Sequence, residues 1–142
     1  MAYTIGQMAQ KLGLTASTLR YYEKEGLLPF VERTPGGTRI FHDRDMAWFQ
    51  LIDCLKKTGM PLKDIKRFID WNVEGDSTIP ERRALIVEQR RRVEDQIADL
   101  EKKLDFLRYK EWYYEVADRA GTVGVHDGMP PEDVPERFRK YR

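Results

Sequence analysis

The chain has 142 residues, a formal net charge of +1, 35% charged residues and a mean hydropathy of −0.66. That length suits one compact domain with an appendage, and the absence of a long apolar run or a secretory hydrophobic region leads us to expect a soluble, cytoplasmic protein. A nearly neutral chain does not bind nucleic acid through overall charge, so such affinity has to come from a local cluster of Arg and Lys. With one cysteine, Cys54, and two histidines, His42 and His126, neither a metal centre, a cofactor nor catalysis is expected.

Taken in chain order, Thr4 with Gln7 three residues later is a capping-box pattern, and Ile5, Met8, Ala9 and Leu12 then recur at helical spacing. Gly13 breaks this short amphipathic helix. Thr15 is placed to cap a second helix, which Gly26 ends. Helix, glycine-containing turn and helix form the pattern of a helix-turn-helix. On the second helix, Arg20 offers a planar fork for a phosphate or the major-groove edge of guanine, and Ser17, Thr18, Tyr21 and Lys24 offer groups that reach phosphates or base edges. Leu19 is expected in the core.

Two short runs follow, Leu27 to Val31 and Arg39 to Phe41, rich in branched and aromatic residues and joined by a turn containing Pro35, Gly36 and Gly37. They predict a small hairpin whose flanking Arg33 and Arg39 would clamp phosphates as a wing beside the recognition helix. Asp43 is the expected cap of another helix through Met46, Phe49, Ile52 and Leu55 to Gly59. Pro61 and Leu62 open a further short helix with Ile65, Phe68 and Ile69.

The second half is organised differently. After the polar break Glu74-Gly75-Asp76-Ser77, Thr78 and Glu81 repeat the capping-box spacing, and no glycine follows until Gly121. Ile79, Ile86, Val93, Leu100, Leu107 and Tyr114 share one heptad position, and Ile97 and Leu104 fill the other core position. Arg83, Arg90 and Glu111 also fall in that second position, which leaves the seam continuous only in its middle. An exposed apolar stripe of this length has to be buried, and a homodimer is the expected solution. Beyond Gly121, Gly124, Gly128, Pro130, Pro131 and Pro135 predict an irregular arm. The aromatic cluster Tyr109, Trp112, Tyr113 and Tyr114 is expected to pack beneath it.

These motifs, Thr4 to Gln7, Leu19 to Glu23, Gly26 to Pro29, Gly37 to Phe41 and Gly59 to Leu62, resemble the MerR family of bacterial transcription regulators over about the first half of the chain. The resemblance implies a mainly α fold: a winged helix-turn-helix DNA-binding domain with a small β-hairpin wing over residues 1–73, a dimerisation helix over 74–118 that pairs as an antiparallel coiled coil, and a tail over 119–142. It implies a homodimer on a pseudo-palindromic promoter site, acting with RNA polymerase by bending and untwisting DNA to activate or repress. Base contacts are then expected from Ser17, Thr18, Arg20 and Tyr21, and backbone contacts from Tyr22, Lys24, Arg33 and Arg39, with Gly37 in the wing turn. One departure is Gly36-Gly37-Thr38, where the family more often has Gly followed by Tyr.

The setting of Cys54, Leu51 to Met60, resembles the aldehyde- and thiol-stress subgroup of that family, in which a lone cysteine on this helix is associated with response to carbonyl electrophiles or oxidants. Lys57, three residues on, would favour the thiolate if it faces it. Against this, Cys54 lies near a negative helix C-terminus, and a cysteine in an amphipathic helix is commonly a small core residue. Val116 to Arg142 contains no cysteine, which argues against a metal-thiolate sensor. A coiled-coil adaptor, or an architectural DNA-binding protein without a small-molecule signal, is the alternative reading.

Overall fold

The computed structural model describes all 142 residues. They form two compact units, Met1–Arg91 and Arg92–Arg142. The first holds β1 (Ala2–Tyr3), α1 (Ile5–Leu12), α2 (Ala16–Lys24), β2 (Glu32–Arg33), β3 (Arg39–His42), α3 (Met46–Lys57), α4 (Leu62–Glu74) and the start of α5 (Ile79–Ala120). The fold is mainly helical, with a helix-turn-helix, a small β wing and one long helix.

Local chemistry accounts for the helix-turn-helix. The Gln7 amide donates to Thr4 Oγ1 at 3.2 Å and the Thr4 amide donates to Gln7 Oε1 at 2.9 Å, a reciprocal cap that contributes about 1 kcal/mol. Gly13 ends α1 at φ 69°, where an L side chain is strained, and the Leu14 amide returns to the Ala9 carbonyl. Thr15 Oγ1 then caps α2 by accepting from the Thr18 amide at 3.1 Å. Met8, Leu19, Leu27, Phe41, Ile52, Ile65 and Ile69 are all but excluded from solvent in one core, which Leu85 of α5 joins.

Three expectations are corrected. Leu27 to Val31 is not a strand: Leu27, Leu28 and Val31 are all buried, Pro29 interrupts the run, and the Val31 amide closes a turn on the Leu28 carbonyl. The wing strand is instead Glu32–Arg33, and β3 pairs antiparallel with it and, on its other edge, with the unforeseen β1. Asp43 does not cap α3: its carboxylate accepts from the Tyr3 hydroxyl at 2.7 Å, whereas Asp45 accepts from the His42 amide at 2.9 Å and a 3-10 turn over Asp43–Asp45 leads into the helix. Thr78 does not cap α5. Its buried hydroxyl lies 2.6 Å from the Trp71 carbonyl and 2.7 Å from that of Gly75, and it accepts from Arg82 Nε. The Arg82 fork also reaches Asn72 and the Gly75 carbonyl, so groups at the end of α4 are satisfied by the helix that follows it.

In the second unit, 3-10 segments Val123–His126, Pro131–Asp133 and Glu136–Tyr141 give the tail short regular turns. Tyr109, Val134 and Phe138 are buried together, with Trp112, Tyr113, Met129 and Tyr141 packed around them. The Tyr109 and Tyr141 rings stack at 5.1 Å, and His126 stacks on Tyr113 at 3.8 Å. Along α5, by contrast, Ile86, Ile97, Leu100, Leu104, Leu107 and Tyr114 are exposed.

Candidate nucleic-acid interface

Helix α2 has two chemically distinct sides. Leu19 and Tyr22 face the core, while Ser17, Arg20, Tyr21 and Lys24, at positions i, i+3, i+4 and i+7, are exposed on one face. That face combines a guanidinium, an ammonium and two hydroxyls on a helix held from below, a set of donors matched to base edges and phosphate oxygens. Thr18 is half-buried, and its hydroxyl lies 2.9 Å from that of Thr15.

Tyr22, expected among the backbone contacts, is only 3% exposed. Its ring is part of the core, its hydroxyl accepts from Lys56 Nζ at 3.1 Å, and the same ammonium sits 5.0 Å from the ring centroid. The helix period explains the placement, because Tyr22 is three residues from Leu19 on the buried side.

The wing is tied to α2. Arg33 Nη2 donates to Glu23 Oε1 at 3.0 Å, and Arg39 forms an ion pair with the same oxygen. The Arg39 side chain is 15% exposed and that of Arg33 55%, so Arg33 presents more of its surface to a ligand. Glu23 Oε2 is shielded and has no hydrogen-bond partner. The wing turn closes through the Gly37 amide, which donates to the Thr34 carbonyl at 2.8 Å. Gly37 has φ 85°, and a Cβ there would meet nothing within 4 Å; backbone conformation, not space, is what calls for glycine. Reading the residue pattern missed Glu23 as the organiser of the wing. A carboxylate on a helix otherwise displaying donors was the available signal, since it needs a cation beside it.

Cys54 lies on α3 and is exposed, not part of the core. Lys57 turns to Asp53, with Nζ 2.9 Å from the carboxylate; that hydrogen bond, then the Asp53 charge, raises the Lys57 pKa. No group of three or more His, Cys, Asp and Glu is placed to hold a metal ion, and no helix is long and apolar enough to cross a membrane.

A capped helix-turn-helix with a basic, hydroxyl-bearing outer face and an adjoining arginine wing defines a sequence-reading DNA-binding protein. Residues 3–70 match the MerR HTH family regulatory protein model, and residues 46–109 match the model described as MerR, DNA binding. An uncharacterized HTH-type transcriptional regulator of Haemophilus influenzae is 50% identical over 87% of this chain and 91% of its own length. The HTH-type transcriptional regulator AdhR of Bacillus subtilis is 36% identical over 63% of this chain and 64% of its own. Among solved structures, HiNmlR, a MerR family regulator lacking the sensor domain and bound to promoter DNA, matches with a TM-score of 0.69 and 49% identity, covering 88% of this chain and 99% of that one. The chain belongs to the MerR family of DNA-binding transcriptional regulators.

Proposed function

We propose that the protein works in the cytoplasm as a homodimer on a pseudo-palindromic promoter site, and that it controls RNA polymerase by bending and untwisting the DNA between the half-sites. DNA recognition, not catalysis, is then its activity. Residues 1–73 supply the reader, 74–118 the dimerisation helix and 119–142 an arm that packs on the helix end. The observation that carries this reading is the exposed face of α2, together with the likeness to a relative solved on promoter DNA. Ser17, Arg20 and Tyr21 meet base edges and Lys24 a phosphate; Thr18 lies at the start of the contact. Arg33 contacts phosphate from the wing, and Arg39 and Gly37 hold the wing in position.

The test compares Arg20→Ala with Lys24→Ala in binding to the operator and to unrelated duplex. A base-reading Arg20 loses about 1–3 kcal/mol of discrimination on truncation, whereas loss of a phosphate-contacting Lys24 weakens both duplexes alike and lowers the salt slope by about 1. Operator binding unchanged by Arg20→Ala would remove α2 from the interface and favour an adaptor.

Cys54 is the proposed sensor of carbonyl electrophiles or thiol stress. Its exposure supports this reading, since a small electrophile has access to the thiol. Lys57 is the candidate for favouring the thiolate: its ammonium pairs with Asp53, and the Cys54 charge is among the smaller contributions that raise its pKa. In vitro transcription with the wild type and Cys54→Ser, before and after formaldehyde, separates the readings. Equal responses would end the sensor proposal, and DNA binding with no response in either would leave an architectural regulator.

A further inference from the structure

The first turns of α5 are held to the DNA-reading unit by one face. Arg82, Leu85 and Gln89, at positions i, i+3 and i+7, turn inward, whereas Arg83, Ile86 and Arg90 are exposed. Leu85 and Gln89 are both buried, and Leu85 packs in the core of the unit. Gln89 Nε2 donates to the Thr58 carbonyl at 2.9 Å and lies 3.3 Å from the Thr58 hydroxyl, which ties α5 to the turn between α3 and α4. The Arg82 fork spreads over the end of α4: Nη1 donates to Asn72 Oδ1 at 3.0 Å, Nη2 to the Gly75 carbonyl at 2.9 Å and Nε to Thr78 Oγ1 at 3.2 Å.

Two anchors on one face define a direction. They stand about 10 Å apart along the helix axis, and each grips a different part of the reader. Burial of Leu85 is non-directional and by itself would leave α5 free to tilt and roll about that contact. Hydrogen bonds are directional, and a buried amide that has to meet the Thr58 carbonyl accepts one placement of the helix. The required accuracy follows from the length of α5. From Gln89 to Ala120 it runs on for about 45 Å at 1.5 Å per residue, so a tilt of about 5° at its base carries its end about 4 Å, more than the roughly 3.4 Å rise of one base pair. Neither anchor belongs to the donor face of α2 or to the wing.

We propose that Arg82 and Gln89 are positioning residues for operator selection: by fixing the direction in which α5 leaves the reader, they set which spacing between half-sites the protein accepts. The inference rests on the homodimer reading, because only two readers joined through α5 compare two half-sites, and it adds the residues that select the spacing. With both anchors in place, a half-site displaced by one base pair, about 3.4 Å along the DNA axis and about 35° around it, is reached only by deforming the DNA. With either anchor removed, the protein itself absorbs the displacement and spacing is no longer read.

The experiment measures binding of the full chain, as wild type, Gln89→Met and Arg82→Met, to duplexes carrying the same two half-sites. The spacing between them is that of the operator, or one or two base pairs longer or shorter, and a further duplex carries a single half-site. Wild type is expected to prefer the operator spacing over its nearest neighbours by about tenfold or more, and each variant by less than about threefold. Binding to the single half-site should stay within about twofold of wild type, which shows that the reader still folds. A loss of stability or of dimerisation lowers binding to every spacing alike and leaves the ratio between spacings where it was. Undiminished preference in both variants, or a wild type that binds paired half-sites without regard to spacing, overturns the assignment and leaves the homodimer standing. Undiminished preference in one variant removes that residue from it. A wild type that binds paired half-sites no better than one, at any spacing, overturns the homodimer reading and the assignment with it. Should Arg82→Met lose half-site binding, Arg82→Lys keeps a cation at the end of α4 without the planar fork and is expected to flatten the spacing profile in the same way.

Discussion

Glu23 accepts a hydrogen bond from Arg33 at 3.0 Å, joining the recognition helix to the wing across ten residues of sequence. Because Arg39 pairs with the same carboxylate oxygen, a single anion holds both wing cations. Glu23→Gln removes the charge and keeps the shape. Loss of a charge-assisted contact to the largely buried Arg39 is expected to destabilise the N-terminal unit by about 1–3 kcal/mol, and removal of an anion beside the DNA should steepen the salt dependence of binding by about 1 in log–log slope. Thermal unfolding and a salt titration check this. An unchanged melting temperature together with an unchanged slope would show that the latch carries no weight.

Tyr22 belongs to the core and meets solvent only marginally. Tyr22→Phe keeps the ring and removes the hydroxyl that accepts from Lys56. A stability loss of about 0.5–1.5 kcal/mol, near the low end because Lys56 is exposed, is expected, with operator affinity within about twofold of wild type. A tenfold fall in affinity at unchanged salt slope would return Tyr22 to the DNA contacts.

Cys54 is exposed, so one thiol per chain should react with an aromatic disulfide reagent in the native protein, without denaturant. The Lys57 ammonium is held by Asp53. Lys57→Ala is therefore expected to leave the reaction rate within about twofold, whereas Asp53→Ala, which frees that ammonium, should raise it. A large slowing in Lys57→Ala would show that the cation already faces the sulfur.

The C-terminal arm is fastened at Asp105, which accepts from the Tyr141 hydroxyl at 2.7 Å and pairs with Lys140 Nζ at 2.9 Å. The Tyr141 hydrogen bond, then that of Lys140, lowers the Asp105 pKa from 3.8 to about 2. Hydrogen bonding to Asp105 raises the pKa of both Lys140 and Tyr141. A lowered carboxylate pKa means that its stabilisation is complete above pH 3.8 and is lost as pH falls through about 2. Raised values for Tyr141 and Lys140 mean that theirs is complete below the ordinary values of 10.0 and 10.5 and is lost as pH rises beyond the shifted ones. Near-ultraviolet circular dichroism of the ring cluster formed by Tyr109, Trp112, Phe138 and Tyr141, which reports on the packing of the arm, should be flat between those limits and change outside them. In Asp105→Asn the acid limb of that profile should disappear; its persistence would place the acid-sensitive group elsewhere.

Residue order alone determined the elements that local rules control. The Thr4–Gln7 cap, the stop at Gly13, the Thr15 cap and the heptad run of α5 each depend on residues within a turn or two of one another, and each is where its spacing predicts. The helix-turn-helix and the exposed donor face of α2 follow from the same 3.6-residue period. What tertiary structure alone decided are the partners of groups that local rules leave free. Asp43 went to Tyr3, Thr78 to the end of α4, Tyr22 to Lys56 and both wing arginines to Glu23, because packing brings these complementary groups within hydrogen-bond reach across gaps in sequence that no local rule spans. The pairing of β1 with β3 belongs with these, since a two-residue strand carries no period of its own and exists only through the edge it completes.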